Sequence, residues 1–321
     1  MLRKFLAAAA AALLICAGCD KKTGNTGPTR VVLQLNWKPE PEFGGFYAAQ
    51  LNGNFAKHGL DVEITPGGAS APTIEMVGAG TVPFAIVNGD EIVRARSKGN
   101  LATALFAVYQ TNPQGIMTQA ARGFRTIEDI FTHPGTLAME RGLPYSDFLQ
   151  QKYGFDKVKI VPSPFGNLSL YRVDRNYSMQ CFVTSEPLAA KKMGVEPQTF
   201  LIAEAGYNPY TTVLATSDNY LKSNPAIVKE MIQAVREGWQ EYLANPDKTN
   251  SVMGKLNQTM DAETFKASAD AQKGLILNES TDGSDLGMMS VSRWQTLIQQ
   301  LADLKSIDKL VPAQECFTNG K

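Results

Sequence analysis

The sequence has few of the residues from which most catalytic and metal sites are built. It contains two histidines, His58 and His133, and four cysteines in 321 residues. This composition excludes a His-Glu-x-x-His zinc site and a cysteine cluster, and four cysteines do not make a disulfide scaffold in so long a chain. No Walker A sequence, nucleophile elbow or strand-following Gly-x-Gly-x-x-Gly motif occurs. We therefore expect a protein that is not an enzyme and that uses neither a metal nor a cofactor.

An excess of one charge and long apolar runs are also missing. The chain has 31 basic and 31 acidic side chains, so it lacks the basic footprint of a nucleic-acid-binding protein. Beyond the N-terminus, no apolar run reaches the ~20 residues of a membrane-spanning helix. With 44% hydrophobic and 19% charged residues, the composition is that of a globular protein large enough for two α/β lobes.

The N-terminus differs from the rest of the chain. Arg3 and Lys4 precede an uncharged apolar run over residues 5–17. This pattern is typical of a secretory signal, and the run is too short to span a bilayer. Without Arg3 and Lys4 the chain keeps 29 basic against 31 acidic side chains, a formal charge of −2.

The end of this segment, Ile15-Cys16-Ala17-Gly18-Cys19, resembles a bacterial lipobox. The resemblance implies that residues 1–18 are a lipoprotein signal peptide and that Cys19 is lipidated and becomes the mature N-terminus. Cys16 stands where the pattern usually has Leu, and a plain signal peptide cleaved nearby is the alternative. Residues 19–29 are polar and glycine-rich, which predicts a flexible tether.

Short apolar runs separated by turn residues predict a first α/β unit. We expect strands at 31–35, 60–64, 83–87 and 101–109, and helices at 45–57, from a cap at Ser70 to 78, and at 91–97. This β-α-β-α-β-α-β order predicts a parallel sheet with helices on both faces.

A second, smaller α/β unit and a helical tail follow. The expected strands are 136–139, 158–161, 179–183, 200–202 and 211–216. The expected helices are 127–130, 146–153, 168–173, 187–193, one from Asn224-Pro225 to Asn245-Pro246, and 291–304. A loop is expected at 280–284. The chain is therefore predicted to be a bilobed α/β protein. Cys181 and Cys316 are far apart in sequence and could pair, but we expect two separate buried thiols.

Aromatic and polar residues at the predicted strand ends suggest a binding site. Ligands of open α/β sheets bind outside the carboxyl ends of the strands. The candidate ligand-binding residues are Trp37, Phe43, Tyr47, Asn88, Asp90, Ser185, Glu186, Tyr207 and Tyr210. The aromatic rings could enclose a flat ligand, Asp90 and Glu186 could accept hydrogen bonds, and the helix starts at Asn88 and Ser185 could hold an anionic group. Core packing and helix capping are the alternative roles for these residues.

Several blocks of sequence resemble a known family. They are Leu35-Asn36-Trp37-Lys38-Pro39, Gly45-Phe46-Tyr47-Ala48-Ala49, Gly53-Asn54-Phe55, Gly59-Leu60-Asp61-Val62 and Val183-Thr184-Ser185-Glu186-Pro187. The chain is similar to substrate-binding proteins of ABC importers in the nitrate/sulfonate/taurine and thiamine-pyrimidine-precursor superfamily. The resemblance implies a type II periplasmic-binding-protein fold, in which two crossover strands join two lobes. Lobe 1 would be residues 30–111 plus 217–321, lobe 2 would be 112–216, and the hinges would lie near 110–116 and 210–216.

The resemblance also implies a function. The protein would be a monomeric extracytoplasmic lipoprotein, in the periplasm or at the cell surface, that captures a small heterocyclic ligand for a membrane permease. Trp37 would stack on the ligand ring, while Tyr47 and Glu186 would line the cleft. Phe43 stands where several pyrimidine-precursor binders have His. The alternatives are a nitrate, sulfonate or taurine binder and a pyrimidine-synthase-like enzyme, whose eukaryotic members use pyridoxal phosphate, their own histidine and a cysteine-rich motif.

Overall fold

The computed structural model of the protein describes residues 27–69, 71–277, 283 and 285–320. The predicted signal peptide, Cys19, Ser70 and most of the predicted 280–284 loop lie outside these ranges. The strands within them are β1 Thr29–Gln34, β2 Leu60–Thr65, β3 Phe84–Val87, β4 Ala102–Tyr109, β5 Gln114–Gln119, β6 Gly135–Ala138, β7 Val158–Val161, β8 Tyr177–Phe182, β9 Pro197–Leu201 and β10 Thr211–Ser217.

The first sheet has the strand order β2-β1-β3-β10-β4. β1 pairs in parallel with β2 and β3, but β10 pairs antiparallel with both β3 and β4. The expectation of a purely parallel sheet was therefore wrong. The reason is that a strand returning from the second half of the chain inserts between two strands of the first half. β10 also belongs to the first sheet, although the predicted boundary at residue 216 assigned nearly all of it to lobe 2.

The second sheet has the order β7-β6-β8-β5-β9 and is also mixed. β6 is parallel to β7 and β8, and β5 is antiparallel to β8 and β9. β5 was not among the predicted strands, because its short buried stretch lies between polar ends at Gln114 and Gln119. The two sheets confirm the predicted bilobed α/β architecture.

Most predicted helices are present with small shifts. The helices are α1 Gly44–Leu51, α2 Asn54–Lys57, α3 Thr73–Gly78, α4 Gly89–Ser97, α5 Ile127–Thr132, α6 Pro144–Tyr153, α7 Ser169–Val173, α8 Glu186–Lys192, α9 Asp218–Ser223, α10 Pro225–Ala244, α11 Asp247–Leu256, α12 Ala262–Ala271, α13 Lys273–Ile276, α14 Val291–Asp303 and α15 Ala313–Cys316, with 3-10 turns at Pro41–Phe43 and Ala120–Arg122. The predicted 45–57 helix is two helices, because Gly53 adopts a left-handed φ of 83° between α1 and α2.

The core of the first lobe is built on the packing of α1 against α10. A Cβ on Gly45 would lie 2.1 Å from the Trp239 ring, and one on Gly238 would lie 2.3 Å from the Gly45 carbonyl oxygen. The two helices approach this closely only because glycine is present on both sides of the contact. This contact fixes which face of α1 is buried.

Cys181 and Cys316 are free and buried, as the sequence analysis expected. None of the helices in the described ranges is both long and apolar enough to cross a membrane.

A histidine links α2 to α10. His58 Nδ1 lies 2.6 Å from Glu230 Oε2, and His58 Nε2 lies 3.2 Å from Glu237 Oε1. Burial lowers the pKa of His58, but the hydrogen bonds to the two carboxylates outweigh this effect and raise the pKa above its ordinary value. Protonated His58 therefore stabilises the contact between the helices.

The His58 pair predicts a pH-dependent stability. A raised folded-state pKa gives a contribution that is complete below the unfolded pKa of ~6.5 and is lost as pH rises through the folded pKa. We expect the Tm of the wild type to fall more between pH 6 and pH 8 than the Tm of a His58→Gln variant. Thermal unfolding by circular dichroism measures both slopes, and equal slopes would contradict the assignment.

Candidate functional site

A cavity of about 440 Å³ lies between the two sheets. Its walls come from segments that follow β1, β2 and β3 in the first sheet and β6, β7 and β8 in the second. We call this cavity the interlobe cleft. It lies at the carboxyl ends of these strands, where the sequence analysis placed the site. Six of the nine predicted residues line it: Trp37, Asn88, Asp90, Ser185, Glu186 and Tyr207.

Trp37 is half-buried in the loop that follows β1. Its Nε1 donates a hydrogen bond of 3.3 Å to Glu40 Oε1, and Asn257 Nδ2 donates to the same oxygen at 3.5 Å. Lys38 Nζ lies 5.9 Å from the centre of the indole. The hydrogen bond to Glu40 restricts the indole rotamer, so one wall of the cleft has an oriented aromatic ring.

Phe43, Tyr47 and Tyr210 do not line the cleft. Phe43 and Tyr47 are 0% and 4% exposed and belong to the hydrophobic core of the first lobe, which α1 and α10 share. Tyr210 is buried at the hinge, where its hydroxyl accepts a hydrogen bond from the Ser290 N–H at 2.9 Å. Core packing, the alternative role for these three aromatics, is what the structure shows.

The residues at the start of α4 already have partners. The Glu91 carboxylate accepts from the Asn88 N–H at 2.7 Å, and Asn88 Oδ1 accepts from the Thr211 hydroxyl at 2.9 Å. The hydroxyl of Tyr207, which lies in the segment between β9 and β10, donates a hydrogen bond to Asp90 Oδ2 at 3.1 Å. Burial and the neighbouring Asp90 raise the pKa of Glu91 to about 7, and burial raises the pKa of Asp90.

Two carboxylates that the sequence analysis missed lie beside the predicted Glu186. Glu40 and Glu42 line the cleft from the loop that contains Trp37. Burial, and then repulsion by Glu186, raises the pKa of Glu40 to about 7. Burial and the same carboxylates raise the pKa of Glu42 well above its ordinary value, and burial raises that of Glu186. Their position in the segment after β1, close to the predicted Trp37, is the sequence feature that could have identified them as site residues.

The second lobe contributes a polar wall and an aromatic rim. Gln180 Oε1 accepts hydrogen bonds from the Tyr145 hydroxyl at 2.5 Å and from the Glu140 N–H at 2.6 Å. Phe165 lines the mouth of the cleft with 55% of its surface exposed. Its φ of 47° is unusual for a side chain of this size, and such strain is concentrated at functional sites.

The cleft as a whole is rich in hydrogen-bond acceptors. Six carboxylic side chains line it: Glu40, Glu42, Asp90, Glu91, Glu140 and Glu186. Among the described lining residues, Arg94 is the one cationic side chain. Asn36 Oδ1 is buried there and has no hydrogen-bond partner in the described part of the chain. The same residues include no group of three or more His, Cys, Asp or Glu arranged to hold a metal ion.

One arginine holds the two segments that cross between the sheets. From α14, Arg293 Nη1 donates to the Gln110 carbonyl at 2.6 Å, in the first crossing segment. Its Nε donates to the Asn208 carbonyl at 2.9 Å and its Nη2 to Asn208 Oδ1 at 3.0 Å, in the second. The guanidinium also lies 3.9 Å from the Tyr210 ring centre. Asn208 Oδ1 in turn accepts from the Asn112 N–H at 2.9 Å, so the hinge is a single hydrogen-bonded unit.

Two mixed α/β sheets joined by a double crossing, with a cleft between them, define the periplasmic-binding-protein class of folds. The periplasmic aliphatic sulphonate binding protein SsuA of Escherichia coli has this fold and superposes with a TM-score of 0.68, at 11% identity over 90% of this chain and 92% of that one. The model of the family described as NMT1/THI5 like matches residues 40–249. The chain belongs to this family.

Curated relatives span nearly the whole chain at low identity. The formylaminopyrimidine-binding protein of Halalkalibacterium halodurans is 19% identical over 96% of both chains. The riboflavin-binding protein RibY of Chloroflexus aurantiacus is 22% identical over 92% of this chain and 87% of its own. A 4-amino-5-hydroxymethyl-2-methylpyrimidine phosphate synthase of Legionella pneumophila is 21% identical over 91% and 92%. The relatives of this chain therefore include proteins named as binders and proteins named as enzymes.

Proposed function

We propose that this protein is the extracytoplasmic substrate-binding component of an ABC importer and that it captures a small, flat, nitrogen-containing heterocycle in the interlobe cleft. The observation that carries the proposal is the pairing of an oriented indole, Trp37, with a wall of carboxylate and amide acceptors. A flat ring stacks on the indole, and its N–H groups donate to the acceptors. The named ligands of two relatives, a formylaminopyrimidine and riboflavin, have this chemistry.

The acidic cleft argues against the nitrate, sulfonate or taurine alternative. A small anion needs cationic side chains or free N–H donors, and Arg94 is the cation that the described lining residues offer. The N–H of Asn88 donates to Glu91, and that of Phe182 donates to Glu186 Oε2 at 2.8 Å, so these donors are occupied.

The lining residues also do not fit a pyridoxal-phosphate-dependent synthase. Such an enzyme needs a lysine for the cofactor, and the synthase reaction consumes a histidine of the chain. Among the described residues that line the cleft there is neither lysine nor histidine. We therefore propose a binder without catalytic activity, in spite of the synthase relatives.

The proposal includes a mode of action and a location. Ligand contacts to both walls favour a closed arrangement of the lobes, which a membrane permease recognises. The lobes are proposed to be residues 30–111 plus 217–321 and 112–216, as predicted, except that strand β10 joins lobe 1. The protein is proposed to act as a monomer in the periplasm or at the cell surface, attached through a lipid on Cys19.

A thermal-shift screen tests the proposed ligand class. The purified chain without residues 1–18 is heated with aminopyrimidines, flavins, alkyl sulfonates and nitrate. A ligand at 100 times its Kd stabilises the folded state by ~2.7 kcal/mol, which raises the Tm by several degrees. We expect a shift with a heterocycle and none with the anions. A shift with sulfonate or nitrate alone would overturn the proposal.

A further inference from the structure

The six carboxylic side chains of the cleft form two groups with different surroundings. Asp90 and Glu91 lie at the start of α4, where they accept hydrogen bonds from Tyr207 and the Asn88 N–H. Burial raises the pKa of both carboxyls, and Arg94, one turn along the same helix, is a counter-charge that partly opposes this rise. This group therefore already has its donors and its counter-charge.

The second group has no comparable counter-charge. Glu40, Glu42 and Glu186 repel one another, and Lys38, which faces solvent, is the one cation that acts on Glu40. Glu186 accepts a backbone N–H, and Glu40 accepts from Trp37 and Asn257. No hydrogen bond or ion pair to the Glu42 side chain occurs within the described ranges.

Three carboxyls in one binding cavity, two from the first lobe and one from the second, are unfavourable in their ionised form unless a positive charge lies between them. Asn36 Oδ1, in the same loop after β1, lines the same cavity and is a buried acceptor without a donor in the described ranges. A ligand supplies both missing elements if it has a positive charge and several N–H donors.

We propose that the ligand of the interlobe cleft carries a cationic amine and that Glu42, flanked by Glu40 and Glu186, binds this amine. The inference rests on the proposed function, since it names the ligand class of the same site. Trp37, which is hydrogen-bonded to Glu40, places the aromatic part of the ligand beside the carboxylates, so one molecule reaches both. A ring that carries an aminomethyl group has these two parts.

A cationic ligand predicts a pH dependence of the binding affinity that a neutral ligand would not show. The titratable groups around the trio are Lys38, Tyr109, Cys181 and the three glutamates themselves, since Glu42 raises the pKa of Tyr109 and Glu186 raises that of Cys181. Burial and the neighbouring carboxylates raise the pKa of Glu42, and a bound ammonium beside it favours the ionised carboxylate, so binding of the cation is accompanied by the release of protons from the three carboxyls. Affinity for the cation therefore rises with pH, by up to about tenfold per pH unit for each proton released.

The test compares two ligands that differ in one group. The probes are 4-amino-2-methylpyrimidine with a 5-aminomethyl group, which is a cation, and the same ring with a neutral 5-hydroxymethyl group. Calorimetry at pH 6, 7 and 8 gives both affinities. We expect the aminomethyl ring to bind about 10- to 100-fold more tightly at pH 8 and its advantage to shrink at pH 6.

Variants locate the effect. Glu42→Gln is expected to remove most of the preference for the amine, measured as the ratio of the two affinities at pH 8. Glu128→Gln, a change at an exposed position on α5, is the matched control and is expected to leave both affinities unchanged. The pH slope of the wild type tests the proposal even if Glu42→Gln does not fold.

Three outcomes separate this inference from the proposed function. Tighter binding of the hydroxymethyl ring at every pH, or an amine affinity that falls as pH rises, overturns the cationic ligand and leaves the heterocycle binder intact. An unchanged amine preference in Glu42→Gln overturns the assigned subsite. Binding of neither ring, with a response to flavins or anions in the thermal screen, overturns the pyrimidine class itself.

Discussion

Replacing Trp37 by alanine is expected to weaken ligand binding by about 10- to 100-fold. Loss of a stacked aromatic ring removes about 1–3 kcal/mol of binding free energy, and each 1.4 kcal/mol is a tenfold change in Kd. The loss is expected at the upper end because the Trp37 indole is held by Glu40 and needs no reordering on binding. Calorimetry with the heterocycle identified in the thermal screen measures the change.

Two further variants make the Trp37 result specific. Trp37→Phe keeps a ring but loses the Nε1 donor, and we expect an intermediate affinity. Phe124→Ala removes an aromatic ring that lies 4.1 Å from the Arg122 guanidinium outside the cleft, and we expect no change. Trp37→Ala with wild-type affinity and a normal Tm would show that the ring does not stack on Trp37.

Replacing Arg293 by alanine is expected to lower the free energy of unfolding by about 3 kcal/mol. The side chain donates to carbonyl groups in both crossing segments, and its removal leaves these partly buried acceptors without a donor. The hydrogen bonds are charge-assisted, which makes them stronger than neutral ones. Urea denaturation measures the loss, and small-angle scattering of the folded variant is expected to show a wider range of lobe arrangements.

Arg236 provides the control for Arg293. It lies on α10 and donates to the Leu286 carbonyl at 3.2 Å and to Gln233 Oε1 at 3.4 Å, within the first lobe. Arg236→Ala is expected to lower stability by about 1 kcal/mol and to leave the scattering profile unchanged. Equal effects of the two variants would show that Arg293 has no special role at the hinge.

The ends of the strands could be predicted from the sequence, whereas the buried face of a helix could not. Trp37, Asn88 and Glu186 were found because each directly follows a strand or starts the next helix, and the carboxyl ends of parallel strands share one edge of a sheet. Phe43 and Tyr47 follow the same strand but lie in the core. Which face of α1 is buried depends on α10, about 190 residues further along the chain, and no local pattern contains that information.

The missed carboxylates have a different physical reason. Glu40 and Glu42 lie in a polar, proline-containing loop, where acidic residues are usually solvated. Only the opposite wall of the cleft, with Glu186 on α8, encloses them and raises the pKa of Glu40 to about 7. The pairing of strand β10 could not be predicted locally either, because its direction and its neighbours depend on how the chain returns from the second sheet.

The place of β10 in the first sheet also constrains how the protein folds. β3 and β4 are not neighbours, and the strand that joins them is made only after all five strands of the second sheet. As the chain emerges N-terminus first, the second lobe has its complete set of strands while β3 and β4 still present open edges. We therefore expect the first lobe to close last, through contacts of long sequence separation, and its closure to be the slow folding step.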